Sequence, residues 1–153
     1  MNKFIIIIII LSGLAVFVAS GEERQKREFR PLLPGGSSIL VKAQAWEGKH
    51  YRRGQSYQCA NWVGSVVAAA GRDVPAGHSW ARNWLKWGNS VPRAAMRPGD
   101  IIVTWRGSRH GSEGHILIYV GDGQCIHRPT RSKPVQKVPL SVFAPKILGV
   151  RRG

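Results

Sequence analysis

The stretch 58–71 constrains the fold of this chain most, because its apolar residues recur at the spacing of one helical face. Gly71 ends the stretch, at a position that favours a left-handed C-terminal cap. The pattern predicts an amphipathic helix whose apolar face is buried and whose first turn holds a cysteine. The apolar residues of this face are Cys59, Trp62, Val63, Val66, Val67 and Ala70.

Two interpretations of Cys59 are open. A cysteine on an apolar helical face is often a small core residue. A thiol in the first turn, however, is close to unpaired N–H groups and to the positive end of the helix dipole, and both favour the thiolate. Cys125 is the second cysteine. A disulfide between the two would disable Cys59 as a nucleophile, and the sequence leaves this question open.

The first 38 residues differ in composition from the rest of the 153-residue chain. A lysine at position 3 precedes the apolar run 4–19, and small residues at 18–20 suit signal peptidase. We therefore expect residues 1–20 to be a signal peptide, with an uncleaved anchor as the alternative. Residues 21–38 mix charges with proline and glycine, which predicts a flexible basic arm. Residues 39–153 are then long enough for one domain with its own hydrophobic core.

The net charge of +15 predicts an anionic partner. Nucleic acid, acidic lipid headgroups and an anionic cell wall are the candidates, and export to the periplasm, the cell wall or the medium argues against nucleic acid. Stable membrane insertion is not expected if the signal peptide is cleaved, and we expect a monomer. Charge alone does not distinguish wall binding from a generally basic surface.

A second helix is predicted over residues 79–87, where Trp80, Trp84 and Trp87 recur at helical spacing and Gly88 follows as a stop. Tryptophans at this spacing usually pack into a core, although exposed ones stack on sugar rings. Beyond this helix the chain is rich in β-branched residues and turn signals. Strands are predicted at 101–105, 115–120, 124–127 and 146–150.

The second and third of these strands form a predicted hairpin, which brings His115 and His127 close together. A three-residue loop, 121–123, places Val120 opposite Gln124 and His127 opposite Leu117, on the same face as His115. A plain two-residue loop places the two histidines on opposite faces. A shared face therefore requires an odd loop or a bulge.

A helix-borne cysteine and two histidines on one face of a hairpin form the arrangement of a thiol nucleophile, its base and an orienting residue. In this hypothesis His115 takes the proton of Cys59, and His127 holds the ring of His115 in the required tautomer. Zinc bound by the same side chains is the competing chemistry. The sequence has neither Cys-x-x-Cys nor His-Glu-x-x-His spacing. We therefore expect no metal and no other cofactor.

The order Cys59, His115, His127 and the stretch 114–127 resemble the NlpC-type cell-wall cysteine peptidases. The turn 97–100 and the segment 147–152 are similar to the same family. The run Cys-Ala-Asn-Trp-Val departs from the commoner Asp-Cys-Ser/Gly pattern and, with residues 81–88, resembles the related CHAP amidases. The resemblance implies an α+β, papain-like (NlpC/CHAP-type) fold, in which the helix carrying the cysteine packs on an antiparallel sheet carrying the histidines.

The resemblance also implies hydrolysis of amide bonds in peptidoglycan through an acyl-enzyme, by an endopeptidase or an N-acetylmuramoyl-L-alanine amidase. An oxyanion hole would use the backbone N–H of Cys59, with Tyr57 as a helper or, alternatively, as a packed residue at the loop–helix junction. Arg109 and His110 are candidates for contacting substrate carboxylates, or simply part of a solvated loop. A non-catalytic wall-binding or inhibitory protein on the same scaffold is the alternative function.

Overall fold

The computed structural model describes residues 35–52, 58–130 and 132–153, all within the unit Leu33–Gly153. The predicted signal peptide, residues 21–34 of the predicted arm, and Tyr57 lie outside the described residues. Helix α1 (Gly35–Gln44) begins inside the predicted arm, so residues 35–38 are helical rather than irregular. The reason is that Ile39 and Ala43, one helical turn apart, are buried in the core. None of the described helices has the length and apolar content needed to cross a bilayer.

Helix α2 (Gln58–Ala69) is the helix that the apolar pattern predicts. Its tryptophan and valines, Trp62, Val63, Val66 and Val67, are fully buried. Gly71 has a φ of 74°, and its N–H donates to the carbonyl of Ala68. The predicted left-handed cap is therefore confirmed, and α2 is anchored along its length beneath the sheet.

The domain also contains a six-stranded antiparallel sheet, in the order β1-β6-β2-β3-β4-β5. The predicted α+β class is thus observed, and the predicted strands are all present. The short β1 and the strand β5 were not predicted from the sequence. The strands are β1 (Asn89–Ser90), β2 (Ile101–Trp105), β3 (Gly114–Gly121), β4 (Gln124–His127), β5 (Gln136–Pro139) and β6 (Ile147–Arg152).

The sheet separates two apolar clusters. Ile116, Ile118 and Ile126 belong to the larger cluster, together with the buried face of α2. Leu117 and Cys125, which alternate with them along the same strands, belong to the smaller cluster. Cys59 packs against the larger cluster, so the two cysteines belong to different clusters, and both are free thiols.

The β3–β4 hairpin has the register that the histidine hypothesis requires. Ile118 pairs with Ile126 and Tyr119 with Cys125, as predicted. The connection differs in detail, because a bulge between Tyr119 and Gly121 accompanies the turn and Gly121, rather than Val120, pairs with Gln124. The bulge and the turn thus supply the odd offset between the strands.

The tryptophan-rich segment differs from its prediction. It forms a 3₁₀ helix, Ala81–Lys86, rather than an α-helix. Trp84 and Trp87 are buried as predicted, but Trp80 precedes the helix and is 44% exposed. The tighter 3₁₀ turn rotates positions four residues apart away from a common face, so the three rings do not share one side. Gly88, with a φ of 53°, ends the segment as expected.

Candidate active site

Cys59 is the second residue of α2 and lines a cavity of about 430 Å³. Burial raises the pKa of its thiol, while hydrogen bonding from the backbone of Ala60 and Ile116 and the charge of Arg106 oppose this shift. The thiol is therefore protonated at rest and needs a base to become a nucleophile. The backbone groups that lower its pKa come from its own helix and from β3.

His115 and His127 form a buried hydrogen-bonded pair. Nε2 of His115 lies 2.7 Å from Nδ1 of His127, and the two rings are nearly perpendicular, at 85°. Nδ1 of His115 is buried and has no hydrogen-bond partner among the described residues. His115 is flanked by Gly114, which lines the cavity, and by Ile116, whose backbone hydrogen-bonds with the thiol of Cys59 and lowers its pKa. The pair thus leaves one ring nitrogen available for a proton.

Phe143 holds both imidazole rings. Its ring stacks on that of His115 at a centroid distance of 5.7 Å and meets that of His127 edge-on at 5.3 Å. Arg93 secures the backbone around this phenylalanine by donating to the carbonyls of Ala144 and Ile147. Phe143 carries no sequence motif, and only the structure reveals its contact with the histidines.

Arg128 fixes the start of α2 from the strand that carries His127. It is fully buried, and it donates to Oε1 of Gln58 at 2.7 Å and to the carbonyls of Lys133 and Tyr51. Gln58 in turn donates to the carbonyl of Arg52. Because Gln58 immediately precedes Cys59, this network couples the position of the thiol to the end of β4.

The cavity is lined by four segments of the chain, one of which is the start of α2 with Gln58 and Cys59. Ser79 and Trp80 form one wall, Thr130 lies on another, and Arg106 and Glu113 belong to the loop between β2 and β3. Arg106 also acts electrostatically on Cys59, His115 and His127. Arg106 was not predicted as a site residue. Its position directly after the predicted strand 101–105 is the one feature of the sequence that points to it.

Arg109 and His110, the predicted substrate contacts, are exposed and do not line the cavity. Their loop is held instead by Arg82, which donates to the carbonyls of Glu113, Ser108 and Arg109 at 2.8–3.1 Å. At the end of this loop Gly114 approaches the carbonyl of Thr104 so closely that an added Cβ would lie 2.9 Å from it. A side chain at this position would push the loop off the strand.

The described part of the chain contains no group of three or more histidine, cysteine or acidic side chains that would hold a metal ion. Cys125 lies in the smaller apolar cluster, and burial raises its pKa to about 12. Among the described residues, the groups at this site that can take part in proton transfer, nucleophilic attack or charge stabilisation are therefore the thiol of Cys59, the two histidines and Arg106.

The histidine pair predicts that stability falls in acid. Burial, with the charge of Arg106 as a further cause, lowers the pKa of both His115 and His127 below the ordinary value near 6.5. The unfolded chain therefore binds protons that the folded chain does not, so stability is complete above pH 6.5 and is lost as the pH falls below it. We expect a loss of up to about 1.4 kcal/mol per pH unit for each histidine.

Urea unfolding at pH 7, 6 and 5 measures this loss. His127→Gln removes one buried imidazole and is expected to flatten the pH dependence, whereas His110→Gln, an exposed matched control, leaves it unchanged. Equal slopes in the wild type and the His127 variant would contradict the assignment.

The sequence matches the profile of the NlpC/P60 family over residues 44–152. The chain belongs to the NlpC/P60 family. The match covers α2, the whole sheet and every described residue of the site, and it confirms the resemblance to NlpC-type proteins. It gives no support to the similarity with CHAP amidases.

Two bacterial relatives are similar in sequence. A γ-D-glutamyl-L-lysine dipeptidyl-peptidase of Bacillus subtilis (strain 168) is 25% identical over 131 residues, which are 84% of this chain and 42% of that protein. The murein DD-endopeptidase MepS/murein LD-carboxypeptidase of Escherichia coli (strain K12) is 30% identical over 102 residues, 63% of this chain and 50% of that protein. The chain thus spans half or less of the length of these relatives.

Solved structures of the same family have the same fold. The NlpC/p60 domain of the peptidoglycan hydrolase SagA matches with a TM-score of 0.59 and 24% identity, over 77% of this chain and 98% of that domain. An NlpC/P60 family protein of Bacillus cereus ATCC 10987 matches with a TM-score of 0.65 and 21% identity, over 78% of this chain and 40% of that protein.

Proposed function

We propose that the protein is an exported peptidoglycan hydrolase that cleaves amide bonds of wall peptides with Cys59 as nucleophile, His115 as base and His127 as the residue that orients the base. The observation that carries this proposal is the hydrogen bond between Nε2 of His115 and Nδ1 of His127. It leaves Nδ1 of His115 buried and unpartnered among the described residues. The thiol of Cys59 lies close to the backbone of Ile116, which follows His115 in β3, and we propose this thiol as the proton donor to that atom.

The chemistry follows from these positions. Nδ1 of His115 takes the proton from the thiol, and the sulfur attacks the carbonyl carbon of the amide. The oxygen becomes an oxyanion, for which we propose the backbone N–H of Cys59 and the side chain of Tyr57 as donors. The imidazolium returns its proton to the leaving amine, which gives an acyl-enzyme. Water activated by the same imidazole then hydrolyses the thioester.

Arg106 suits this chemistry in two ways. Its positive charge lowers the pKa of the thiol and stabilises the thiolate as it forms. The same charge disfavours protonation of both histidines, which keeps the base neutral at physiological pH. Arg106 also lines the cavity and is a better candidate for a substrate carboxylate than Arg109 or His110.

The relatives support a wall peptide as the substrate. One is named a γ-D-glutamyl-L-lysine dipeptidyl-peptidase, another a murein DD-endopeptidase and LD-carboxypeptidase, and a third a peptidoglycan hydrolase. We therefore propose an endopeptidase rather than an N-acetylmuramoyl-L-alanine amidase. The net charge of +15 is complementary to an anionic wall.

Digestion of purified peptidoglycan tests the proposal. We expect soluble peptide fragments, identified by mass spectrometry with new amino and carboxyl ends inside the stem peptide or cross-bridge. Iodoacetamide should abolish their release, whereas EDTA should not. Release that EDTA blocks and iodoacetamide spares would contradict the thiol mechanism. Binding to walls without any fragments would favour the non-catalytic alternative.

A further inference from the structure

The hydrogen bond between the two histidines makes the protonation of one ring depend on the other. A neutral imidazole carries one N–H and one lone pair. If Nε2 of His115 donates to Nδ1 of His127, then Nδ1 of His115 is a lone pair and the proton of His127 lies on Nε2. If the bond runs in the opposite direction, Nδ1 of His115 already carries a proton and takes none from a thiol. Only the first arrangement allows His115 to act as a base toward a thiol.

The side chain of Gln136 lies against the far end of this pair. Gln136 is on β5, directly opposite His127 in the strand register, and the amide nitrogen of its side chain is 3.5 Å from Nε2 of His127. The amide has two ends that exchange by a half turn about its last bond, an oxygen that accepts and an NH₂ that donates. With the NH₂ toward Nε2, the His127 ring must accept there, which places a proton on Nδ1 of His115 and prevents it from acting as a base. With Oε1 toward Nε2, the ring must donate, which leaves Nδ1 of His115 free to act as a base.

We propose that Gln136 is a positioning residue that selects the histidine tautomer. A half turn of its amide from the orientation in the structure lets Oε1 accept from Nε2–H of His127, so that Nδ1 of His115 is left free. This proposal rests on the proposed thiol mechanism. In this arrangement the S–H bond of Cys59 breaks and an N–H bond forms at Nδ1 of His115. The proton already on Nε2 stays there, directed at His127, so the charges that form are one thiolate and one imidazolium.

Among the described residues, the side chain of Gln136 is the polar group that contacts Nε2 of His127. Phe143 contacts both rings but offers no acceptor. Arg106 acts on both rings by charge, which disfavours protonation without distinguishing the two neutral tautomers. Gln136 is half-buried, so its amide has room to turn. A partner that orients a catalytic imidazole typically contributes about tenfold or more to the rate.

Substitutions at position 136 separate the roles of acceptor and donor. Gln136→Glu keeps an acceptor of the same shape, Gln136→Met removes both functions, and Gln136→Lys presents a donor only. We expect kcat on peptidoglycan peptides to fall about tenfold in the Met variant and further in the Lys variant, with KM unchanged. The Glu variant should keep its activity at neutral pH, with the acid limb of its pH profile moved to higher pH by the added carboxylate. Gln124→Met, at the other end of the same strand pair, is the matched control.

Nitrogen NMR of the histidine rings reads the tautomer without any activity assay, so it remains informative even if no peptide is cleaved. We expect the proton on Nε2 in both His115 and His127 of the wild type, and a mixture of tautomers in the Met variant. A proton on Nδ1 of His115 in an active wild type would overturn the proposal. So would wild-type kcat and pH profile in a folded Met variant, while Cys59-dependent cleavage there would leave the proposed function standing.

Discussion

Cys59→Ala is expected to lower kcat for peptidoglycan cleavage by about 10⁴-fold or more, because removal of a nucleophile leaves only binding and oxyanion stabilisation. Serine at this position should be almost as inactive, since its hydroxyl is far less acidic than a thiol. Both residues are small and accept the helical backbone of α2. The fold should therefore persist, and the circular dichroism spectrum should match that of the wild type.

Cys125→Ala is the matched control for this experiment. It removes the second thiol, which belongs to the other apolar cluster and has a pKa raised to about 12. We expect its kcat to stay within a few-fold of the wild type, with only a modest loss of stability from the small cavity. Peptide release that persists in the Cys59 variant, or that disappears in the Cys125 variant, would contradict the assignment of the nucleophile.

Arg152→Met is expected to lower the free energy of unfolding by about 3–5 kcal/mol, because it leaves a buried carboxylate without its charged partner. Asp100 is almost completely buried, and both of its oxygens lie 2.7 Å from nitrogens of Arg152. The backbone N–H of Arg97 also donates to this carboxylate, at 2.8 Å. This pair connects the turn before β2 to the end of β6, so its loss should loosen the centre of the sheet.

Urea unfolding of three variants tests this second prediction. Arg151→Met removes the same charge from the neighbouring position, which makes no ion pair within the described residues, and should cost less than about 1 kcal/mol. The double variant Asp100→Asn with Arg152→Met should recover part of the loss, because the uncompensated charge is gone. An Arg152→Met variant as stable as Arg151→Met would show that the pair does not hold the sheet.

The elements of the fold with a strong local pattern were predictable. Helix α2 has a continuous apolar face and a capping glycine, and β2 and β4 are bounded by turn residues, so their sequences alone specify them. Strand β5 was missed because Gln136–Pro139 has little apolar character and exists through its pairing with β4. Trp80 was misplaced because helical spacing does not distinguish an α-helix from a 3₁₀ turn.

The residues proposed to react were predictable from the sequence, but the residues that hold them in place were not. Cys59 and the histidines are rare, reactive residue types next to recognisable elements. The sequence left two hairpin registers open, and the structure has the one in which Ile118 pairs with Ile126. Arg128, Phe143 and Gln136 reach the site through tertiary contacts and belong to no motif. Arginine and glutamine are usually solvated, so sequence alone gives no reason to prefer these over others of the same type.

The way Arg82 holds the loop between β2 and β3 has an evolutionary consequence. All three of its acceptors are main-chain carbonyls, those of Glu113, Ser108 and Arg109. Main-chain acceptors are present whatever side chains the loop bears, so the loop can exchange almost any of its residues and keep its shape. Variants of this chain that keep Arg82 are therefore expected to tolerate changes at Ser112 and Glu113, the loop side chains that line the cavity, with the loop still held in place.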